Sequence, residues 1–244
     1  MICISLVSHG HGLMVVNLAK QLLNCPSVSR LIITLNIPEA FPNILDSRLQ
    51  LIQNTDPKGF GANHNAAFKC CKEPYFCVIN PDIVIVDDPF LKMLEIFGEE
   101  NNVGLVAPLI LNSVGITEDS MRVAMTPWSL LKRITGFDSG AYAVALGGVS
   151  FSPDWVAGMF MLFKSPIFSK LGGFDERYFM YCEDADICTR LTSAKYRIVA
   201  CLSIFVLHDA QRASHRSFLH LRWHLKSMGL YFLTHSFNIF RNPH

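Results

Sequence analysis

Glu183, Asp184 and Asp186 follow the aromatic run Tyr178-Phe179-Met180-Tyr181, and a fourth carboxylate, Asp82, closes the triplet Asn80-Pro81-Asp82 behind a short apolar run. A carboxylate can take the proton of an attacking hydroxyl, and one at a strand end offers a hard oxygen ligand to Mg²⁺ or Mn²⁺. On a helix Asp186 and Arg190 are i,i+4 neighbours and predict a surface pair, whereas Asp184 projects about 200° away, toward Ile187 and Cys188. Asp184 is therefore the candidate base, with Glu183 in support. Aromatic neighbours raise a carboxyl pKa and a helix N-terminus lowers it, so the net shift stays open.

Two glycine-containing loops and one histidine complete the candidates. Ser8-His9-Gly10-His11-Gly12 follows the first apolar run, where glycines let a ligand approach the backbone, although an ordinary turn has the same composition. Gly59-Phe60-Gly61 opens a helix pattern that includes Asn65, and amides at a helix start can hold an anion or a polar base edge. The segment lacks the Gly-Lys-[Ser/Thr] of a Walker A loop and the third glycine of a dinucleotide fingerprint. His208 ends another apolar run, either as a ligand or as a hydrogen-bonded structural residue.

These residues need elements to carry them. Apolar runs predict strands at about 2–7, 31–35, 49–53, 75–79, 155–163 and 197–207. Helical spacing predicts helices at about 13–24, 62–72, 88–98, 166–171, 183–194 and 216–234. Fully apolar strands between helices imply an α/β fold with a mostly parallel central sheet covered on both faces. In such sheets ligands bind beyond the carboxyl ends of the strands, where the loops after strands 2–7 and 75–79 and His208 all fall. Between Asn112 and Pro153 repeated glycines predict a variable loop region.

The 244 residues are half hydrophobic with a formal net charge of +1, which gives no field to recruit nucleic acid. The eight cysteines contain no Cys-x-x-Cys pair, which disfavours zinc and suits a reducing compartment. The start, Met1 to Val7, reads as a buried strand without the basic region of a leader, and the expected location is cytoplasmic.

In their order, several segments resemble family-2 glycosyltransferases, especially the bacterial rhamnosyltransferase-like branch with a GT-A fold. They are Val7-Ser8, Gly59-Phe60-Gly61-Ala62-x-x-Asn65, Asn80-Pro81-Asp82, Trp155-Val156-x-Gly158, Gly172-Gly173-Phe174-Asp175-Glu176, Glu183-Asp184-x-Asp186 and His208. The resemblance implies a GT-A domain over 1–244, with a nucleotide-sugar-binding half (1–111), an acceptor and catalytic half (112–210) and a C-terminal helical segment (211–244). It implies that Ser8, His9, Gly10, Gly59, Phe60, Gly61, Asn65, Asn80 and Asp82 hold a nucleotide-diphosphate sugar. Asp82 and His208 would serve a divalent cation, Mg²⁺ or Mn²⁺, and Trp155 and Gly158 would border a sugar. Transfer would invert the anomeric centre, with rhamnose the leading donor sugar and a lipopolysaccharide or O-antigen intermediate the acceptor. Asn80 stands where many relatives carry Asp, a stronger metal ligand.

The C-terminal helix carries Arg216, His220, Arg222, His224 and Lys226, with apolar residues at 218, 221, 225, 228 and 232. That spacing suits packing on the core, a homodimer partner, or peripheral contact with the anionic cytoplasmic face of the inner membrane. Two other functions share the layout: a non-catalytic nucleotide-sugar-binding homologue and a sugar-1-phosphate nucleotidyltransferase. The latter calls for a Gly-rich, Arg- and Lys-containing N-terminal signature that this chain lacks.

Overall fold

The computed structural model describes residues 1–99, 102–209 and 218–239. The strands are β1 (Ile2–Ser8), β2 (Val28–Leu35), β3 (Leu49–Gln53), β4 (Tyr75–Ile79), β5 (Ile83–Val84), β6 (Val103–Asn112), β7 (Met121–Arg122), β8 (Trp155–Val156), β9 (Phe160–Lys164) and β10 (Arg197–His208). Eight form one sheet in the order β3-β2-β1-β4-β9-β6-β10-β5, and β7 pairs with β8. The central strands form because runs of β-branched and aromatic side chains can be buried on both faces of a layer.

The helices are α1 (Leu13–Leu23), α2 (Phe60–Phe68), α3 (Phe90–Glu99), α4 (Pro127–Ile134), α5 (Ser165–Lys170), α6 (Glu183–Ser193) and α7 (Phe218–Ile239). Val15, Leu18 and Leu22 of α1 join Phe90 and Met93 of α3 against one side of the sheet. Ala67 of α2, Phe168 of α5 and Ile187 and Leu191 of α6 join Phe76, Val78 and Phe163 on the other. Each fully buried side chain of this size contributes roughly 1.5–3 kcal/mol, so the two layers hold the sheet edge rigid.

β9 and β5 run against the other six strands. Ile79, the last residue of β4, pairs with Phe160, the first of β9. Gly158 and Met159 therefore lie at the edge where β1, β4, β6 and β10 end.

The expected strand over 155–163 is interrupted: β8 leaves the main sheet for β7, and Ala157 to Met159 span the gap to β9. The expected loop region at 112–153 contains β7 and the short helix α4. That helix starts at a reciprocal cap, in which Thr126 accepts from the Ser129 N–H and the Ser129 hydroxyl accepts from the Thr126 N–H, with Pro127 in the first turn.

On α7 the packing face also differs from the expected stripe. Leu221 and Leu225 are exposed, while Ser227, Tyr231 and His235 are buried. Met228 and Phe232 of the expected stripe do pack on the core, beside polar tips that find partners, which hydropathy spacing does not register. Arg216, assigned to this helix from the sequence, lies outside the described residues.

Candidate active site

Asp184 is the second residue of α6, and both its oxygens accept backbone hydrogen bonds. Gly158 N–H donates to Oδ2 at 3.0 Å and Ala185 N–H to Oδ1 at 2.8 Å. Each oxygen keeps a second lone pair for a proton. Burial raises the Asp184 pKa above the ordinary carboxyl value, while the two amides and the charge of Arg122 pull it down. The question left open by the sequence is thus answered in favour of desolvation.

Glu183 beside it is buried, with Oε2 unpartnered, and burial followed by the Asp184 charge lifts its pKa to about 8. Burial and the Asp184 charge thus favour the protonated form of Glu183 at neutral pH. The turn that presents them is unusual: Tyr181 (φ 72°) and Cys182 (φ 65°) both occupy the left-handed region without being glycine. Such residues cost about 1–3 kcal/mol each and persist only where surrounding contacts hold them.

Asp186 is not the surface residue that its spacing from Arg190 predicted. Its side chain is fully buried, paired with Arg190 through Oδ2 at 2.7 Å and with His235 Nε2 of α7 through Oδ1 at 2.8 Å. Arg190 also donates to the carbonyls of Leu171 and Gly173. The i,i+4 pairing occurs, but α7, far along the chain, closes over it.

The second carboxylate lies on the turn after β4. Asp82 Oδ2 stands 3.0 Å from His208 Nε2, and His208 Nδ1 stands 2.8 Å from Glu118 Oε2. The bond to Asp82, with help from Glu118, lifts the His208 pKa to about 9 against the opposing effect of burial. Asp82 Oδ1 is buried with no partner. The orphaned Asp82 Oδ1 is a hard oxygen ligand for a divalent cation, whereas His208 Nε2 joins it only after losing the proton it shares with Asp82, with the Glu118 carboxylate on Nδ1 then fixing the tautomer. Glu118 escaped the sequence reading because it sits in the stretch read as loop, with no motif around it. Asn80 N–H donates to the Met159 carbonyl at 2.9 Å, so the Asp82 turn and the Gly158–Asp184 contact are joined through two adjacent residues.

The remaining sequence candidates divide between open loop and packed frame. Ser8 is buried and its Oγ accepts the His11 N–H, while His9 lies within 3.2 Å of the Asn36 amide. Gly10 and Gly12 donate their N–H groups to the Glu39 carboxylate. His11 feels the Asp82 charge, which places the first loop beside the Asp82 turn, although burial dominates and lowers its pKa.

Asn36, Asn54 and Asn63 form a buried amide chain that also holds Lys58 N–H and the Lys58 carbonyl. Asn36 and Asn54 follow β2 and β3 and Asn63 lies in α2, so no local pattern in the sequence links the three. Gly59 and Gly61 are required by packing: a Cβ on Gly59 would stand 2.5 Å from the Phe179 carbonyl oxygen, and one on Gly61 2.7 Å from Phe174 Cβ. Phe60 stacks edge-on with His64 and Phe174. Asn65, expected at the nucleotide, accepts the Phe174 N–H and donates to the Phe174 carbonyl and to Glu176. It locks the Gly172–Glu176 loop in place.

Trp155, expected beside a sugar, is packed into the frame. It is buried, its indole N–H donates to the Val123 carbonyl at 2.9 Å, and the Arg122 guanidinium lies 5.4 Å from its ring centre. Arg122, itself nearly buried, adds a cation within electrostatic reach of Asp184. Gly158 carries the sequence expectation differently, by holding Asp184 directly.

The family model for Glycosyl transferase family 2 matches residues 33–158, just over half of the chain. Rhamnosyltransferase WbbL of Escherichia coli (strain K12) is 32% identical over 182 residues, covering 69% of this chain and 68% of that protein. Among solved structures, GalNAc-T7 with UDP, GalNAc and Mn²⁺ superposes with a TM-score of 0.68 at 11% identity, over 96% of this chain and 47% of that one. Mannosyltransferase PcManGT from Pyrobaculum calidifontis, in complex with GDP-Man and Mn²⁺, gives 0.62 at 12% identity, over 96% of this chain and 64% of that one. The chain thus spans about half of the first structure and under two thirds of the second, and at these identities the likeness establishes the shared GT-A fold.

Proposed function

The chain belongs to glycosyl transferase family 2, and on that premise we propose that it moves a sugar, with inversion, from a nucleotide-diphosphate donor to an acceptor hydroxyl deprotonated by Asp184. The observation that carries this reading is the placement of Asp184: half-buried, fixed by the Gly158 and Ala185 amides, and linked through Met159 and Asn80 to the Asp82 turn. A hydroxyl is a poor nucleophile until its proton has an acceptor. Asp184 takes that proton as the acceptor oxygen forms its bond to the anomeric carbon and the bond to the nucleoside diphosphate breaks. Glu183, protonated at neutral pH, does not compete for it.

Asp82 and His208 are the residues that would hold a divalent cation, with Glu118 orienting the imidazole. Such an ion, when bound, neutralises charge developing on the departing diphosphate. The Mn²⁺ in the two structural neighbours supports a cation of this class. Ser8, His9, Gly10 and the Gly59–Gly61 loop line the donor side in this reading, and the rhamnosyltransferase relative makes deoxythymidine-diphosphate rhamnose the first donor to try. The acceptor is a lipopolysaccharide or O-antigen intermediate. Among the described residues no helix is long and apolar enough to cross a membrane. Exposed Leu221, Leu225 and Leu233 beside Arg222 and Lys226 give α7 an outward stripe suited to the anionic cytoplasmic face of a membrane, or to a second copy of the chain.

The test is a panel of nucleotide sugars scored by nucleoside diphosphate release with and without Mn²⁺. Release from the rhamnose donor, dependent on acceptor and stimulated by Mn²⁺, is the expected result. Release of pyrophosphate from a sugar-1-phosphate and a nucleoside triphosphate would favour a nucleotidyltransferase, and donor binding without turnover a non-catalytic homologue.

A further inference from the structure

Asp184 can act only if the first turn of α6 is held still against the sheet edge. That turn lacks the usual device: Cys182 occupies the N-cap position in the left-handed region, and no side chain caps the helix. Besides the Gly158 amide on Asp184, what grips it comes from α7. Ser227 Oγ donates to the Met180 carbonyl at 2.8 Å, the Tyr181 hydroxyl meets His220 Nδ1 at 2.8 Å, and Thr189 meets the Tyr231 hydroxyl at 2.8 Å. The deepest contact is His235 Nε2 on Asp186 Oδ1, with both side chains nearly or fully removed from solvent.

Arg190, the other partner of Asp186, belongs to α6 itself, so it cannot alone fix that helix relative to α7. His235 approaches from outside. An apolar contact would hold two helices together while tolerating small slides, whereas buried hydrogen bonds specify one register. Four hydrogen bonds from α7, one buried and three partly buried, fall on residues 180–189, on both sides of Asp184.

We propose that His235 is a positioning residue for the transfer reaction, acting through Asp186 to set the place of Asp184 and making α7 part of the catalytic frame. The proposal rests on Asp184 being the base. It predicts a loss that appears in kcat rather than in donor binding, because a small displacement of a catalytic group slows the chemical step while leaving the donor loops untouched.

The experiment compares His235→Leu, which removes the donor, with His235→Gln, whose amide can still donate to Asp186. Steady-state kinetics of the full chain would be read beside calorimetric binding of deoxythymidine diphosphate with Mn²⁺. The expected result is about a tenfold fall in kcat for the leucine variant, with donor KM and diphosphate affinity within about twofold, and recovery of most of that loss in the glutamine variant. Tyr231→Phe, which deletes one hydroxyl, serves if the leucine variant does not fold; a fall of about threefold in kcat with KM unchanged is then expected. Wild-type kcat in folded His235→Leu, or in Tyr231→Phe where it stands in, overturns the proposal. So does a parallel loss of kcat and diphosphate affinity that the glutamine variant fails to recover. An Asp184→Asn variant measured alongside separates the two claims. Full turnover there removes the base itself, whereas an inactive Asp184→Asn with unaffected His235 variants removes only the positioning role.

Discussion

The backbone N–H of Gly158 donates to Asp184 Oδ2 at 3.0 Å, so the proposed base is tied to the gap between β8 and β9. A side chain there has little room, since a Cβ would stand 3.1 Å from Phe60 Cζ and 3.7 Å from Asp184 Cβ. Gly158→Ala is therefore expected to push Phe60 and the base apart and to lower kcat about tenfold with little change in donor KM. Steady-state release of nucleoside diphosphate measures both, and an unchanged kcat would remove the tie from the account.

The Asp82–His208–Glu118 arrangement predicts a graded response. Asp82→Ala deletes the orphaned oxygen and the contact to His208 together, and is expected to abolish Mn²⁺ stimulation of turnover. Glu118→Gln leaves Asp82 and His208 in place but weakens the group that orients the imidazole, so Mn²⁺ affinity should fall by about 10- to 100-fold. Titration of activity against Mn²⁺ distinguishes the two, and identical curves for wild type and both variants would exclude the site.

Glu183 predicts a pH signature in stability. Its folded-state pKa of about 8 lies above the ordinary value of 4.5, so the folded chain holds a proton that the unfolded chain has released. The associated stability is fully present below about pH 4.5 and is lost as pH rises through 8. Other groups titrate in this range, His208 among them, so the readout is the difference between wild type and Glu183→Gln in denaturant unfolding from pH 6 to pH 9. The glutamine variant should lose less stability across that interval, and parallel curves would show that Glu183 is not held protonated.

Much of this architecture is legible in the sequence because burial on two faces writes itself as uninterrupted apolar runs: Tyr75 to Ile79 appears as β4 with the expected limits, and β10 ends at His208 as the run Arg197 to Leu207 suggested. The sheet edge and its residues follow from that. What the sequence withheld has one physical character, the long-range polar contact. Asp186 reads as a surface partner of Arg190 because nothing local announces His235, 49 positions away. Asn65 reads as a ligand residue because its partner, Phe174, is 109 positions distant. Gly59 and Gly61 read as a loop whose amides face a nucleotide, and packing gives them a second reason to be glycine, since a Cβ on either would meet Phe179 or Phe174. Glu118 was invisible because a carboxylate in an irregular stretch acquires meaning only when β10 brings His208 to it.

The central claim is that Asp184 accepts the acceptor's proton, and its most direct measurement is turnover by Asp184→Asn. Asparagine can keep the acceptor role toward the Gly158 amide but cannot take a proton. The account predicts a fall in kcat of about 100- to 10,000-fold, with the affinity for deoxythymidine diphosphate and Mn²⁺ within about twofold of wild type. Wild-type turnover by a folded Asp184→Asn variant would contradict it.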